Sequence, residues 1–212
     1  IDENKECAYV VLINITINKL ILKLPCVPDY MNVDFNGIGG GYVYDQIKRK
    51  LYLAVGAPES NSYLISKLSQ DKASYYGKIL EIPINTLLGR SNEINIYATG
   101  IRSVLSMNTF NKNIIAVENG PRGGDEINNI IKYGNYGWPY ATYGTNYKSS
   151  DAYKKKANDN RKEWPIDKTN NTHNDYSKPL FSWGNQVGIS NLIVYESEYF
   201  AKWNKNLIVS TL

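Results

Sequence analysis

"GGGYVYDQIKRKLYLAVG", Gly39 to Gly56, sets two short apolar runs on either side of a polar break. Tyr42 to Tyr44 and Leu51 to Val55 carry the aromatic and β-branched side chains that fit a pleated surface. Lys48-Arg49-Lys50 between them reads as a hairpin turn. One hairpin decides little by itself. What decides the fold is that the same device recurs along the chain.

Working outward, "AYVVLINITI" (Ala8 to Ile17) and "KLILKLP" (Lys19 to Pro25) form an earlier pair joined near Asn18. "YGKILEIPI" (Tyr76 to Ile84) and "EINIYATG" (Glu93 to Gly100) follow as strands. "SVLSMNT" and "IIAVENG" flank a turn at Phe110 to Asn113, and "PLFSWG", "SNLIVYE" and "NLIVSTL" complete the series. Helical periodicity is scarce, with Ser62 to Lys72 the best candidate. Many short strands with Gly/Pro-rich turns indicate an all-β sandwich, barrel or propeller. A recurrence of roughly 45 to 50 residues between similar hairpins favours the β-propeller, with four-stranded antiparallel blades.

The 212 residues can bury one substantial core, or two small ones. Tyrosine, at 18 residues, suits twisted sheets with polar turns. The net charge of +4 comes mostly from one segment: Lys148 to Lys168 holds seven basic and four acidic side chains. That segment lies in a polar stretch from about 146 to 178, read as an insertion in a single partial propeller domain spanning 1–212. With the charge confined there, and no basic face interleaved with aromatics, nucleic-acid binding is not expected. No apolar run is long enough for a membrane span. Cys7 and Cys26 are the two cysteines, consistent with either a disulfide closing the first hairpin or two free buried thiols. With His173 the sole histidine, a Cys/His zinc site is excluded. Asn14-Ile-Thr and Asn170-Asn-Thr match the glycosylation pattern.

"VENGPRGGDEINNIIKYGNYGWP", Val117 to Pro139, crowds glycines, prolines, acids and aromatics too closely for an ordinary element. Two roles fit Asp125 and Glu126 after Gly123-Gly124. A flexible loop of carboxylates and carbonyls can ligate a hard cation such as Ca²⁺. Alternatively Asp125 caps the turn through its own backbone N–H groups.

The order of segments resembles the soluble glucose/sorbosone dehydrogenase family, also called aldose sugar dehydrogenases. "GGGYVYDQIKRKLYLAVG", "SQDKASYYGKILEI", "ENGPRGGDEINNI", "NYGWPYATYGTNY" and "ISNLIVYESEYFAKWNKNLIVSTL" are similar to its motifs in the same order, over about residues 20 to 212. The resemblance implies a six-bladed propeller, of which this chain holds about four blades' worth. It implies oxidation of C1 of an aldose sugar with pyrroloquinoline quinone (PQQ) and calcium, in a periplasmic or extracellular setting. Carried over by position, Arg102, Gly120 and Pro121 are the expected cofactor contacts. The main-chain oxygens of Gly120 and Pro121 would hold the cofactor's calcium, and Glu126 and Tyr136 a structural one.

Departures from the family pattern bear on activity. Where relatives place the histidine base before the "GG" strand, this chain has Gly37 beside Ile38, and neither can accept a proton. No catalytic residue is therefore assigned, and His173 is expected at the surface of the polar insertion. "TGIRSVLS" keeps Arg102 but has Ser103 where relatives carry an asparagine against PQQ, and Ile101 where they carry a histidine. Arg102 can clamp a carboxylate or serve as a core arginine. Two expectations follow: a family member with weakened or absent sugar oxidation, or a non-catalytic propeller that binds or scaffolds. A further polypeptide or missing segment is expected to complete the ring, with sugar as the substrate of an active form.

Overall fold

The computed structural model describes residues 9–27, 33–34, 36–60, 67–144 and 173–212. Cys7, the Asn170 motif and most of the polar insertion lie outside the described residues. Cys26 is disulfide-bonded, and the sequence offers one other cysteine.

The chain opens with a hairpin of β1 (Val11–Asn14) and β2 (Lys19–Lys23). Asn14 organises its turn, its Oδ1 accepting from the backbone N–H groups of Thr16 and Ile17. A short pairing joins β3 (Val33–Asp34) to β6 (Glu59–Ser60). Between them in sequence come β4 (Tyr42–Asp45) and β5 (Lys50–Val55), and after β6 come β7 (Lys78–Pro83) and β8 (Asn95–Thr99). These four form one antiparallel sheet in the order β4-β5-β7-β8. The turn expected at Lys48 to Lys50 is present, with Arg49 in the left-handed region at φ 54°.

A second four-stranded antiparallel sheet contains β9 (Val104–Phe110), β10 (Asn113–Glu118), β11 (Glu126–Ile130) and β12 (Phe181–Ser182), again in chain order. Asn111 and Lys112 join β9 to β10 with φ of 48° and 67°. Two successive positive φ values match the right-handed twist of the flanking strands. A final hairpin pairs β13 (Ile189–Tyr195) with β14 (Asn206–Thr211).

The two complete sheets stack face to face. Tyr52, Ala54, Ile79 and Ala98 of the first meet Met107, Ile114, Ala116 and Ile130 of the second in one buried cluster. A second cluster lies on the far side of the first sheet, where Leu12 and Leu22 cover Leu80 and Ile82. A third lies beyond the second sheet, where Ile189 and Leu192 cover Ile115 and Val117. The middle strands are thus sandwiched on both faces, which explains near-continuous apolar runs such as "KILEIP" and "NIIAV". This is an all-β fold arranged as part of a β-propeller; among the described residues its two complete sheets and two end hairpins amount to about three blades' worth of strands, fewer than the four expected.

Two expectations are corrected. Glu126 to Ile130, read from its glycine-rich approach as loop, is a full strand paired along its length with β10. The helix candidate at Ser62 to Lys72 contains a single 3-10 turn, Lys67–Ser69, in its described part. A one-turn helix instead occurs at Ile84–Leu87, where Pro83 ends β7.

Candidate functional site

The site is built where β8, β9, β10 and β11 turn over at one end of the stacked sheets. Gly120 follows β10 and must turn at once. A Cβ there would lie 2.2 Å from the Gly123 carbonyl oxygen, so no larger residue fits this fold-back. Gly123 and Gly124 then adopt φ of 80° and 67° to enter β11. Asp125, fully buried, secures the turn from inside. Its Oδ1 accepts from Gly120 N–H at 3.0 Å, and its Oδ2 from Val187 and Gly188 N–H at 2.9 and 2.8 Å. Of the two roles open to Asp125, the structure supports backbone capping, and the cap reaches across to the entry of β13.

The hairpin register sets Glu118, last in β10, directly opposite Glu126, first in β11. Like charges opposed across a strand pair are destabilising, and here both carboxyls are buried. Burial raises the pKa of each, and the charge of Glu118 raises that of Glu126 further. Asn128 Nδ2 bridges them, donating to Glu118 Oε2 at 3.3 Å and Glu126 Oε2 at 3.2 Å. Glu118 also accepts from the backbone N–H groups of Arg102 and Ser103, which hold its shift back.

Arg102 is buried and turned inward. Its Nη1 donates to the carbonyls of Asn119 at 2.7 Å and Gly120 at 2.8 Å, and its guanidinium stands over the Trp138 ring. Ile101, where relatives carry a histidine, is fully buried in the central cluster. Gly37 and Ile38 are held close by, since Gly56 N–H donates to the Ile38 carbonyl and Ala57 N–H to that of Arg102. Neither supplies a titratable group.

His173 is not at the surface, contrary to the expectation. It is 1% exposed, stacked on Tyr143 with ring centroids 4.7 Å apart. Its Nε2 lies 3.7 Å from Glu126 Oε1. Burial lowers its pKa, while a backbone hydrogen bond to Tyr136 pulls the other way. Tyr136 itself is locked by its hydroxyl, which donates to the Asn129 carbonyl and accepts from Ile131 N–H. A small cavity of about 20 Å³, room for a single water, is lined by Arg102, Glu118, Gly120, Glu126, Tyr136 and His173 among others. Pro121 is buried nearby but does not line it.

Four of the five expected site residues, Arg102, Gly120, Glu126 and Tyr136, therefore converge. Sequence reasoning missed Glu118, Asn128 and His173. Reading β11 as a strand would have found the first two, because register alone sets Glu118 opposite Glu126 and puts Asn128 on the same face. Nothing local marks His173, which returns from a distant segment.

The raised carboxyls give this site a pH signature. Folded, the pair keeps protons that the unfolded chain releases above its ordinary value of 4.5. Its contribution to stability is thus fully present below that value and lost as pH rises through the folded values. His173 acts in the opposite sense at the acid end, its contribution being lost as pH falls below 6.5. Glu126→Gln removes Glu126's share of the alkaline loss and keeps an acceptor for Asn128. Thermal unfolding from about pH 5 to about pH 9 should therefore show the variant gaining several degrees on the parent protein as pH rises. A gap independent of pH would refute the raised pKa of Glu126.

Comparison with known proteins agrees with this geometry. The Glucose / Sorbosone dehydrogenase family profile matches residues 32–212. Aldose sugar dehydrogenase YliI of Escherichia coli K12 is 32% identical over 187 residues, which is 84% of this chain but 45% of that protein. The crystal structure of the soluble aldose sugar dehydrogenase from Escherichia coli in the apo-form superposes with a TM-score of 0.69 at 24% identity, over 97% of this chain and 57% of that one. The PQQ-bound aldose sugar dehydrogenase from Streptomyces coelicolor shares the fold at a TM-score of 0.50 and 18% identity, over 87% of this chain and 48% of that one. This chain spans about half the length of these relatives. A profile match running through both complete sheets and the Gly120–Tyr136 turn places the chain in the glucose/sorbosone dehydrogenase family.

Proposed function

We propose that this chain is a non-catalytic member of its family, keeping the propeller architecture for binding or scaffolding without oxidising sugars. The observation that carries this reading is the inward Arg102. Its Nη1 occupies the Gly120 carbonyl that the cofactor's calcium would need, so a second cation is opposed there by the guanidinium charge. The residues present do not fit the cofactor. Among the described residues the space beside Arg102 and Gly120 is water-sized, and no base stands at Gly37 or Ile38.

The expected structural calcium fares similarly. Glu126 and the Tyr136 backbone are both engaged by the His173 imidazole. A nitrogen donor in that place suits a protonated carboxyl and imidazole cluster better than a hard cation seeking six to eight oxygens.

Titration with PQQ and Ca²⁺, read by absorbance and by reduction of an electron-acceptor dye over several aldoses, tests both points. No absorbance change, no dye reduction and a melting temperature unmoved by EDTA are expected. Turnover of any aldose would overturn the non-catalytic reading, and an EDTA-sensitive melting temperature would restore the calcium site.

A further inference from the structure

The end of the stacked sheets away from the site gathers four turns, all supplied by the two complete sheets. The N–H groups of Gly40 and Gly41 both donate to the Val104 carbonyl, so β4 and β9 start together beside the site. Their hairpins with β5 and β10 therefore turn at the far end, at Gln46 to Arg49 and at Asn111-Lys112. β7 ends opposite Lys50, and its connection to β8 leaves from the same end, where Ile84 N–H donates to the Arg49 carbonyl at 2.9 Å. β11 ends opposite Ile114, and Ile131 to Tyr133 follow it, with Tyr133 N–H donating to the Tyr97 carbonyl of β8. Propeller blades are added around a ring, so further blades lie beside these turns and not over them.

The turns display side chains that the fold does not account for. Ile47 is 95% exposed at the apex of its hairpin, where Gly, Asn, Asp or Ser is the ordinary choice. Tyr133 holds φ of 64°, a left-handed conformation unfavourable for a bulky residue, and its side chain is 79% exposed. Ile131 and Leu88 add apolar surface, 50% and 38% exposed. Around them Lys48, Arg49, Arg90, Lys112 and Lys132 are all exposed, against Asp45 and Glu93 in the same turns. Asp45 is bridged to Lys48 at 3.1 Å, and Lys50 is tied to the buried Glu81 at 2.8 Å. Asp175 borders the groove beside Lys132 and Tyr133, which still leaves the cations in excess.

We infer that this end of the protein docks on an anionic lipid bilayer. The cations face headgroup phosphates and carboxylates, while Ile47 and Tyr133 enter the interface. Apolar side chains and cations on one face are the two contributions that peripheral membrane binding combines. Attraction of Lys and Arg to an anionic leaflet falls off within a Debye length, so it favours cations carried on protruding turns. Tyrosine suits such a boundary, its ring in the apolar zone and its hydroxyl in water. A nucleic acid would engage the same cations through its phosphates but would leave Ile47 in water. The surface lies at the opposite end from Arg102 and Gly120, so the inference goes beyond the non-catalytic reading and does not depend on it.

Flotation tests this with vesicles of phosphatidylcholine alone and of phosphatidylcholine and phosphatidylserine in equal parts, each at low and high salt. The protein should float with the mixed vesicles at low salt, stay behind with phosphatidylcholine, and lose most of its binding at high salt. Arg90→Glu combined with Lys132→Glu should weaken binding about tenfold or more, and Ile47→Ser should weaken it several-fold. All three positions are exposed, so the thermal midpoint should stay where it is in the parent protein. Failure of the parent to float with mixed vesicles would overturn the inference, as would undiminished binding by Ile47→Ser. So would stronger capture of the parent by duplex DNA than by mixed vesicles, which would assign the cations to a nucleic acid. Dye reduction with PQQ and an aldose by a protein that floats would count against the functional proposal alone.

Discussion

Replacing Lys78 by methionine is expected to destabilise the fold by about 3–5 kcal/mol, the cost of orphaning several buried acceptors at once. Lys78 is fully buried on β7. Its ammonium matches three donors to three carbonyls, those of Leu68 at 2.9 Å, Ser69 at 2.8 Å and Tyr76 at 2.9 Å. Burial opposes the charge, and the acceptors compensate only while all three remain in place. Methionine fills the stem's volume but satisfies none of them. The consequence extends to the site, because Ser69 Oγ and Gln70 Nε2 both hold the Trp138 carbonyl, and Trp138 packs under Arg102. Denaturant unfolding should show a lower midpoint with an unchanged slope. A loss under 1 kcal/mol would mean that the carbonyls find other donors, and that this lysine does not anchor the turn.

Asp125→Ala should cost a comparable amount, about 3–5 kcal/mol, by leaving one buried and two half-buried N–H groups without their acceptor. The effect should also have a direction in space. Two of those donors, Val187 and Gly188, lead into β13, whereas the third, Gly120, starts the fold-back after β10. Amide hydrogen exchange should therefore accelerate at Gly188 and through the β13–β14 hairpin more than in the sheet of β4, β5, β7 and β8. Asp125→Asn retains one acceptor oxygen and should recover part of the stability. Uniform acceleration across both complete sheets would show that the carboxylate supports the whole fold rather than joining the two segments.

The hairpins were legible in the sequence wherever a polar break separated two apolar runs, as at Lys48 to Lys50 and Phe110 to Asn113. Strand character needs only local information there, since side-chain type and turn chemistry act over a few residues. β11 was obscured by its approach. Gly123 and Gly124 advertise a turn, and the carboxylates after them look solvated, yet "EINNI" forms a strand because Val117 and Ile115 supply its pairing edge and Ile130 its core contact. The convergence of Arg102, Gly120, Glu126 and Tyr136 followed from motif order, which had already grouped these residues before any contact was visible.

What the sequence determined by itself was the all-β class, the hairpin rhythm and the family, because these rest on local periodicity and on motifs in order. What only the tertiary structure decided was protonation, burial and direction. It turned Arg102 onto the Gly120 carbonyl, set Glu118 against Glu126, and brought His173 from a polar segment into a buried pocket. Each of these depends on groups far apart in the chain meeting where water is excluded, and desolvation and paired charge act through that proximity rather than through spacing along the sequence.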